Sequence, residues 1–195
     1  MGVRLVGIAA VLAASVAASG ASAQTAEFKC PTRGAQFTYK SGSLDKVNTA
    51  TGKVGNVCLF NTTSDGKAEI LRVHWGLVGS VDAQGESFAG GLDLKSLWPL
   101  KVGNTITNTV TVIGRDGKPY TSAVTMAVTA YEKVTVPAGT FDAFRVEESK
   151  ANESGRNIHW WAPAVAVSVK ESFPDWRNPG KVIVLELVSV KPAAN

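Results

Sequence analysis

The stretch Thr105-Ile106-Thr107-Asn108-Thr109-Val110-Thr111-Val112-Ile113 alternates polar and apolar side chains. A period of two places the apolar side chains on one face and the hydroxyl groups on the other, as in a strand that is buried on one side. Residues 120–129 repeat this pattern, and Arg115-Asp116-Gly117-Lys118-Pro119 separates the two runs. Because Asp-Gly accepts the positive φ of tight turns, the two runs are predicted to form an antiparallel hairpin.

Strand patterns continue along the rest of the chain. A second hairpin is predicted around Ser64-Asp65-Gly66, where it joins residues 56–61 to residues 68–75. Further strands are predicted at residues 35–40, 44–48, 132–136, 143–149, 157–161, 165–173 and 181–190. We therefore expect an all-β fold, a curved antiparallel sheet or open barrel of about ten strands. The only helix expected is a short one at residues 92–98, which Pro99 would end.

The last predicted strand, residues 181–190, has apolar residues on both faces. Val182, Val184 and Val188 alternate with an opposite set that includes Leu185 and Leu187. An apolar run of this kind is typical of a strand with neighbours on both sides and cover on both faces. We expect this strand to be central in the sheet.

The first 23 residues have the composition of a secretory signal peptide. Arg4 precedes an apolar run, and Ala21-Ser22-Ala23 supplies the small residues of a cleavage site. The apolar run is shorter than the roughly 20 residues that a spanning helix needs. We expect cleavage near Ala23, a periplasmic or secreted location, and a mature protein that is not an integral membrane protein.

Residues 24–195 are enough for a single β-rich domain with its own core. Arg4 is the only charged residue before residue 24, so cleavage would lower the formal net charge from +4 to +3. The remaining basic residues are spread along the chain without a basic run or a basic and aromatic stripe. Nucleic acid is therefore not expected as a partner.

Cys30 and Cys58 are the only cysteines. The oxidising compartment of an exported chain favours a disulfide between them. A redox pair or a metal site would favour Cys-x-x-Cys spacing or a neighbouring histidine, and neither is present. The predicted disulfide would stabilise the domain by roughly 3 to 4 kcal/mol, mainly by restricting the unfolded chain.

No pattern in the sequence predicts catalysis. His74 and His159 are the only histidines, too few for a three-histidine zinc site, and no Gly-x-Ser-x-Gly turn is present. Glu147 and Glu148 are adjacent on a strand and should point to opposite faces, so they cannot enter one site together. We expect a non-enzymatic protein with no catalytic residues, no metal site and no cofactor. A hydrolase that uses His159 is a third hypothesis after the two given below.

Aromatic residues supply the candidate ligand site. His159 precedes Trp160-Trp161 in a chain with five tryptophans, and an aromatic strand end beside a titratable group can line a pocket. Tryptophan pairs are also ordinary packing elements in small β domains. The predicted ligand-binding residues are Trp98, His159, Trp160 and Trp161.

Four motifs carry a resemblance to known proteins. They begin at Leu97-Trp98-Pro99-Leu100-Lys101-Val102-Gly103 and continue through residues 134–144, which include Val-Pro-Ala-Gly-Thr-Phe. The remaining two are Trp160-Trp161-Ala162-Pro163 and Val169-Lys170-Glu171. This set resembles uncharacterised exported bacterial proteins, periplasmic β proteins classed as a domain of unknown function. The likeness covers residues 97–190.

The resemblance implies a curved sheet of the kind used by periplasmic lipoprotein carriers, whose concave face takes apolar cargo. It supplies no catalytic residue. Our leading hypothesis is a non-enzymatic periplasmic protein that binds an apolar or lipid-like ligand on a concave, aromatic-lined sheet face. The alternative is a structural or interaction module of the cell envelope, whose partner is an envelope protein and which has no small-molecule ligand.

Overall fold

The computed structural model describes residues 24–81, 87–90, 93–113, 117–151, 153–175 and 177–194. The predicted signal peptide lies outside the described residues, as do Arg115 and Asp116 of the predicted hairpin turn. No helix within the described ranges combines the length and apolar composition needed to cross a membrane.

Within these residues the fold is all-β, as predicted, with one short 3-10 turn at Lys95–Leu97. Twelve strands form a single sheet. They are β1 (Gln36–Ser41), β2 (Leu44–Val54), β3 (Val57–Ser64), β4 (Lys67–His74), β5 (Val78–Val81), β6 (Ser87–Gly90), β7 (Thr105–Ile113), β8 (Pro119–Val136), β9 (Gly139–Lys150), β10 (Asn157–Ala162), β11 (Val167–Pro174) and β12 (Val182–Lys191).

Two meanders build the sheet. Its order is β5-β4-β3-β2-β1-β12-β11-β10-β9-β8-β7-β6, so every strand except β1 and β12 pairs only with its neighbours along the chain. The antiparallel pairing of β1 with β12 joins the two halves. Both predicted hairpins, β3–β4 and β7–β8, are confirmed.

The sheet must curl strongly. Laid flat, twelve strands would place the edge strands about 53 Å apart, at about 4.8 Å per spacing. The edge strands β5 and β6 are joined by residues 82–86 alone, a link that reaches at most about 22 Å. Cα atoms of β5 and β6 approach within 8 Å, yet no ladder joins them among the described residues, so the curled sheet stays open.

The prediction of two separate strands at residues 120–129 and 132–136 is wrong. Residues 132–136 are the end of β8, which pairs with β9 from Val124 to Val136. A bulge between Val128 and Ala130 shifts the register there. Because a bulge adds one residue and bends the strand, it interrupts the alternation of side chains without ending the strand.

The position of the last strand is confirmed, but its predicted cover is not. β12 lies between β1 and β11 in the middle of the sheet. Leu185 and Leu187 are buried, whereas Val184 and Val188 are only half-buried and Val182 is 63 % exposed. Only the inner face of β12 is fully covered by core residues.

The predicted disulfide between Cys30 and Cys58 is confirmed, with Cα atoms 5.5 Å apart. It ties the segment before β1 to β3. Two residues earlier, Phe28 packs on Trp75 and Trp98 at centroid distances of 5.4 and 5.6 Å. The backbone of Ala26 exchanges two hydrogen bonds with Leu100, so the segment that precedes the sheet is fixed along its length.

Candidate functional site

A cavity of about 960 Å³ opens into the curled sheet. This volume lies near the top of the range of about 300 to 1,000 Å³ that small-molecule sites occupy. Its walls come from strands on both sides of the β1–β12 junction. The two walls differ in chemistry.

One side of the cavity is apolar. It is formed by β3, β4, β5 and the turn that joins β4 to β5. We call this set the apolar wall, and its members are Phe60, Leu71, Val73, Leu77 and Val78. On β3 every second side chain from Cys58 to Thr62 is buried, and on β4 Leu71 is buried and Val73, two residues on, is half-buried, so the sequence alternation produces this surface.

The other side is polar and comes mainly from β9, β10 and β11. We call it the polar wall, and its members are Glu148, Lys150, Asn157, His159 and Glu171, with Lys46 contributed by β2. In the strand order, three strands separate the β3–β5 group from the β9–β11 group. In a curled sheet, strands at this separation face each other across the interior.

His159 is at the centre of the polar wall. Its Nε2 atom lies 3.7 Å from a carboxylate oxygen of Glu148, and its Nδ1 atom lies 3.6 Å from one of Glu171. Sheet register explains the arrangement, because His159 pairs directly with Glu171 on β11 while Glu148 lies diagonally on β9. Both ring nitrogens are buried without a hydrogen-bond partner among the described residues.

The two carboxylates control the charge of His159. Burial alone would lower the pKa of the imidazole, but contact with Glu148 and Glu171 outweighs burial and raises the pKa to about 9. In turn, burial would raise the pKa of each carboxyl group, and contact with His159 outweighs that effect and lowers it. At neutral pH the group therefore holds an imidazolium between two carboxylates.

Further polar residues surround this group. Tyr39 donates a hydrogen bond of 2.9 Å to the backbone oxygen of Ser168, and burial followed by the charge of Glu171 raises the pKa of its phenol well above the usual value. The charge of Lys46 helps to lower the pKa of Glu171. Since β1 and β12 separate β2 from β11, Lys46 acts across the interior of the sheet.

Of the four predicted ligand-binding residues, His159 lines the cavity. Trp98 and Trp161 pack edge to face with centroids 5.0 Å apart in an apolar cluster that includes Phe28 and Trp75. Trp161 is fully buried. Ligand binding at Trp98 and Trp161 stays a prediction, and the aromatic residues on the cavity surface are instead Tyr39, Phe60 and Phe173.

Trp160 lies on the outer face of the sheet. Its indole N–H donates a hydrogen bond of 2.7 Å to Glu132. Arg145 and Lys170, its direct partners on the two neighbouring strands, lie over its ring at 5.9 and 5.8 Å. Neighbouring residues along a strand alternate between faces, so Trp160 cannot join His159 and Trp161 inside the sheet.

Glu147 and Glu148 point to opposite faces, as predicted. Glu147 binds Arg145 and Arg156 outside the sheet at 3.1 and 2.6 Å, whereas Glu148 is buried beside His159. Sequence reasoning missed Glu148 and Glu171 as partners of His159. The available signal was their phase, because both follow the apolar positions Val146 and Val169 at a spacing of two and so should face inward.

The arrangement limits what His159 can do chemically. A general base must be neutral near the working pH, and the pKa of about 9 keeps this imidazole charged at neutral pH. No group of three or more potential ligands among the described residues is arranged to hold a metal ion.

Comparison with solved structures identifies the fold. The hypothetical lipoprotein YmcC from Escherichia coli K12 aligns with a TM-score of 0.53 and 11 % identity, over 83 % of this chain and 85 % of YmcC. The chain has a YmcC-like fold. A protein from Bacteroides fragilis inferred to be exported, itself described as YmcC-like, aligns with a TM-score of 0.51 and 17 % identity, over 85 % of this chain and 99 % of that protein.

At these identities the YmcC-like fold is a statement about architecture alone. It agrees with the curved sheet that the motifs implied and with their resemblance to exported bacterial proteins. No protein-family model matches the chain, and a search of curated proteins finds no similar sequence. Function must therefore be argued from the cavity.

Proposed function

We propose that this protein binds one amphiphilic, lipid-like molecule in the cavity between the apolar and polar walls, without chemical conversion. The observation that carries the proposal is the segregation of the two walls in a single cavity of about 960 Å³. A ligand that places a hydrocarbon part on Phe60, Leu71 and their neighbours gains from apolar burial at about 25 cal/mol per Å². Its polar end then reaches the charged groups of β9–β11.

A binding role agrees with the state of His159. The two carboxylates hold the imidazole charged, so His159 itself is not available as the general base of a hydrolase at neutral pH. His74, the other histidine, lies outside the residues that line the cavity. These features support a carrier or binding protein over an enzyme.

An envelope location is part of this proposal. Residues 1–23 have the pattern of an export signal, and the confirmed disulfide suits an oxidising compartment. The two similar structures are described as a lipoprotein and as an exported protein. Periplasmic carriage of an amphiphile is consistent with all three observations.

Fluorescence of N-phenyl-1-naphthylamine, an uncharged apolar probe, tests the proposal. Val73 is half-buried on the apolar wall, so Val73→Trp should fill part of the cavity. Ile70, on the same strand, is 46 % exposed and does not line the cavity, so Ile70→Trp is the matched control. Wild type and Ile70→Trp should bind the probe and enhance its emission, whereas Val73→Trp should bind at least about tenfold more weakly.

Two outcomes would overturn the proposal. The first is equal binding to Val73→Trp and Ile70→Trp, which would place the probe outside the cavity. The second is an absence of saturable binding to the folded wild type, which would favour the envelope interaction module without a small-molecule ligand. Circular dichroism of each variant establishes that it is folded before its binding is compared.

A further inference from the structure

We infer that the cavity selects amphiphiles whose head group is positively charged. This inference rests on the proposed function and adds the charge of the ligand to it. It concerns the accessible carboxylates of the polar wall and the loops at the mouth of the cavity. The argument depends on which charged groups a ligand can reach.

Carboxylates outnumber cations around the cavity. The acidic residues that line it are Glu148, Glu153, Glu171 and Asp175, and the cationic ones are Lys46, Lys150 and the His159 imidazolium. The chain as a whole is basic, with a formal net charge of +4. The cavity therefore has a charge opposite in sign to that of the whole protein.

The exposure of the side chains increases the excess of carboxylates over cations that a ligand can reach. The side chains of His159 and Lys150 are only 11 % and 10 % exposed, and carboxylates cover both of them. Two of the cavity carboxylates are more accessible, with Glu171 28 % exposed and Glu153 46 % exposed, whereas Glu148 is buried. A ligand that enters the cavity therefore meets the carboxylates of Glu171 and Glu153 before it meets the buried cations His159 and Lys150.

The cations near the cavity each act on a carboxylate. Lys46 is half-buried, and its charge acts on Glu171 together with that of His159. Lys150 lies 2.9 Å from Glu153. At the mouth, hydrogen bonds from the side chain of Asn178 and the backbone of Arg177, together with the charge of Arg177, lower the pKa of Asp175. An anionic head group would have to displace one of these pairs.

Three amphiphiles with the same 12-carbon chain test the inference below their micelle concentrations. These are dodecyltrimethylammonium, dodecyl maltoside and dodecanoate, titrated by calorimetry at low salt and pH 7. Dodecyltrimethylammonium should bind about tenfold more tightly than dodecanoate, because the carboxylates attract its positive charge and repel the negative charge of dodecanoate. Dodecyl maltoside should have an intermediate affinity.

Variants locate the source of the preference. Glu171→Gln should reduce the ratio of the two dissociation constants to about threefold or less. Glu153→Gln, at a more exposed position, should reduce it too and serves if Glu171→Gln fails to fold. Glu186→Gln is the matched control, because Glu186 pairs with Lys170 on the outer face, and it should leave the ratio unchanged.

Equal affinity for the three compounds, or preference for dodecanoate, would overturn the inference while leaving amphiphile binding intact. An unchanged ratio in folded Glu171→Gln and Glu153→Gln would also overturn it. If none of the three compounds binds, the proposed function itself fails. The outcomes for the two claims are therefore distinct.

Discussion

Replacement of His159 with glutamine should destabilise the protein strongly at neutral pH. Glutamine has a similar size and keeps a hydrogen-bonding group, but it removes the positive charge that lies between Glu148 and Glu171. Two carboxylates would then remain close together in a largely buried site. Removal of one partner from a buried charge cluster typically costs about 3 to 5 kcal/mol.

The pKa of His159 gives an independent value for this loss of stability. An increase from 6.5 to about 9 corresponds to about 3 kcal/mol of stabilisation. Because the pKa is raised in the folded state, this contribution is fully present below pH 6.5 and disappears as the pH rises through about 9. The stability difference between wild type and His159→Gln should therefore be about 3 kcal/mol at pH 6 and should largely vanish at pH 10.

Urea unfolding monitored by far-ultraviolet circular dichroism, with the disulfide intact, measures this difference at both pH values. His74→Gln is the matched control, since burial and the charge of Arg72 lower the pKa of His74. That variant should cost less than about 1 kcal/mol at both pH values. A loss below about 1 kcal/mol for His159→Gln at pH 6, or a loss that does not change with pH, would refute the reasoning.

Three further predictions concern the same fold. Replacement of Cys30 and Cys58 with serine should lower the free energy of unfolding by about 3 to 4 kcal/mol, because the bridge closes a loop between residues 28 positions apart; an unchanged urea midpoint would contradict this. Gly76→Ala should cost at least about 1 kcal/mol more than Gly55→Ala, because both glycines have positive φ but only at Gly76 would the new Cβ lie 3.1 Å from the Trp161 indole nitrogen; equal unfolding midpoints would argue against this packing. Stability should also fall as the pH drops below about 4.5, since the pKa values of Glu148 and Glu171 are lowered in the folded state; thermal melts that do not change between pH 6 and pH 3.5 would exclude this contribution.

Local patterns were sufficient to predict most of the fold. The alternation in β7 and β8, with Asp-Gly between them, specified a hairpin that the structure confirms. The glycine turn at residues 64–66 did the same for β3 and β4. Two cysteines in a chain with a predicted export signal were enough to predict the disulfide. These features depend on residues close in sequence, or on a pairing with only one possible choice.

Short or bulged strands were harder to predict. β5 and β6 have only four residues each, too few for periodicity to show. β2 continues to Val54 beyond its predicted end at residue 48, with a register shift between Ala50 and Gly52. A bulge removes the alternation on which the prediction depends, although the backbone pairing continues.

The candidate site depended on information that lies in the register. His159, Glu148 and Glu171 come from three different strands, and the sequence around each of them does not show that they meet. Single-strand reasoning correctly separated Glu147 from Glu148 but could not place Glu148 beside His159. The tryptophans illustrate the converse, since Trp160 and Trp161 are adjacent in sequence and lie on opposite faces of the sheet.

Native mass spectrometry tests the central claim most directly. The wild-type protein, Val73→Trp and Ile70→Trp would each be exported to a bacterial periplasm, purified without detergent and sprayed with the disulfide intact. We predict a discrete adduct of lipid size on wild type and on Ile70→Trp that is lost or strongly reduced on Val73→Trp. The bare polypeptide mass for all three folded proteins, or the same adduct on all three, would contradict the claim that the cavity carries an amphiphile.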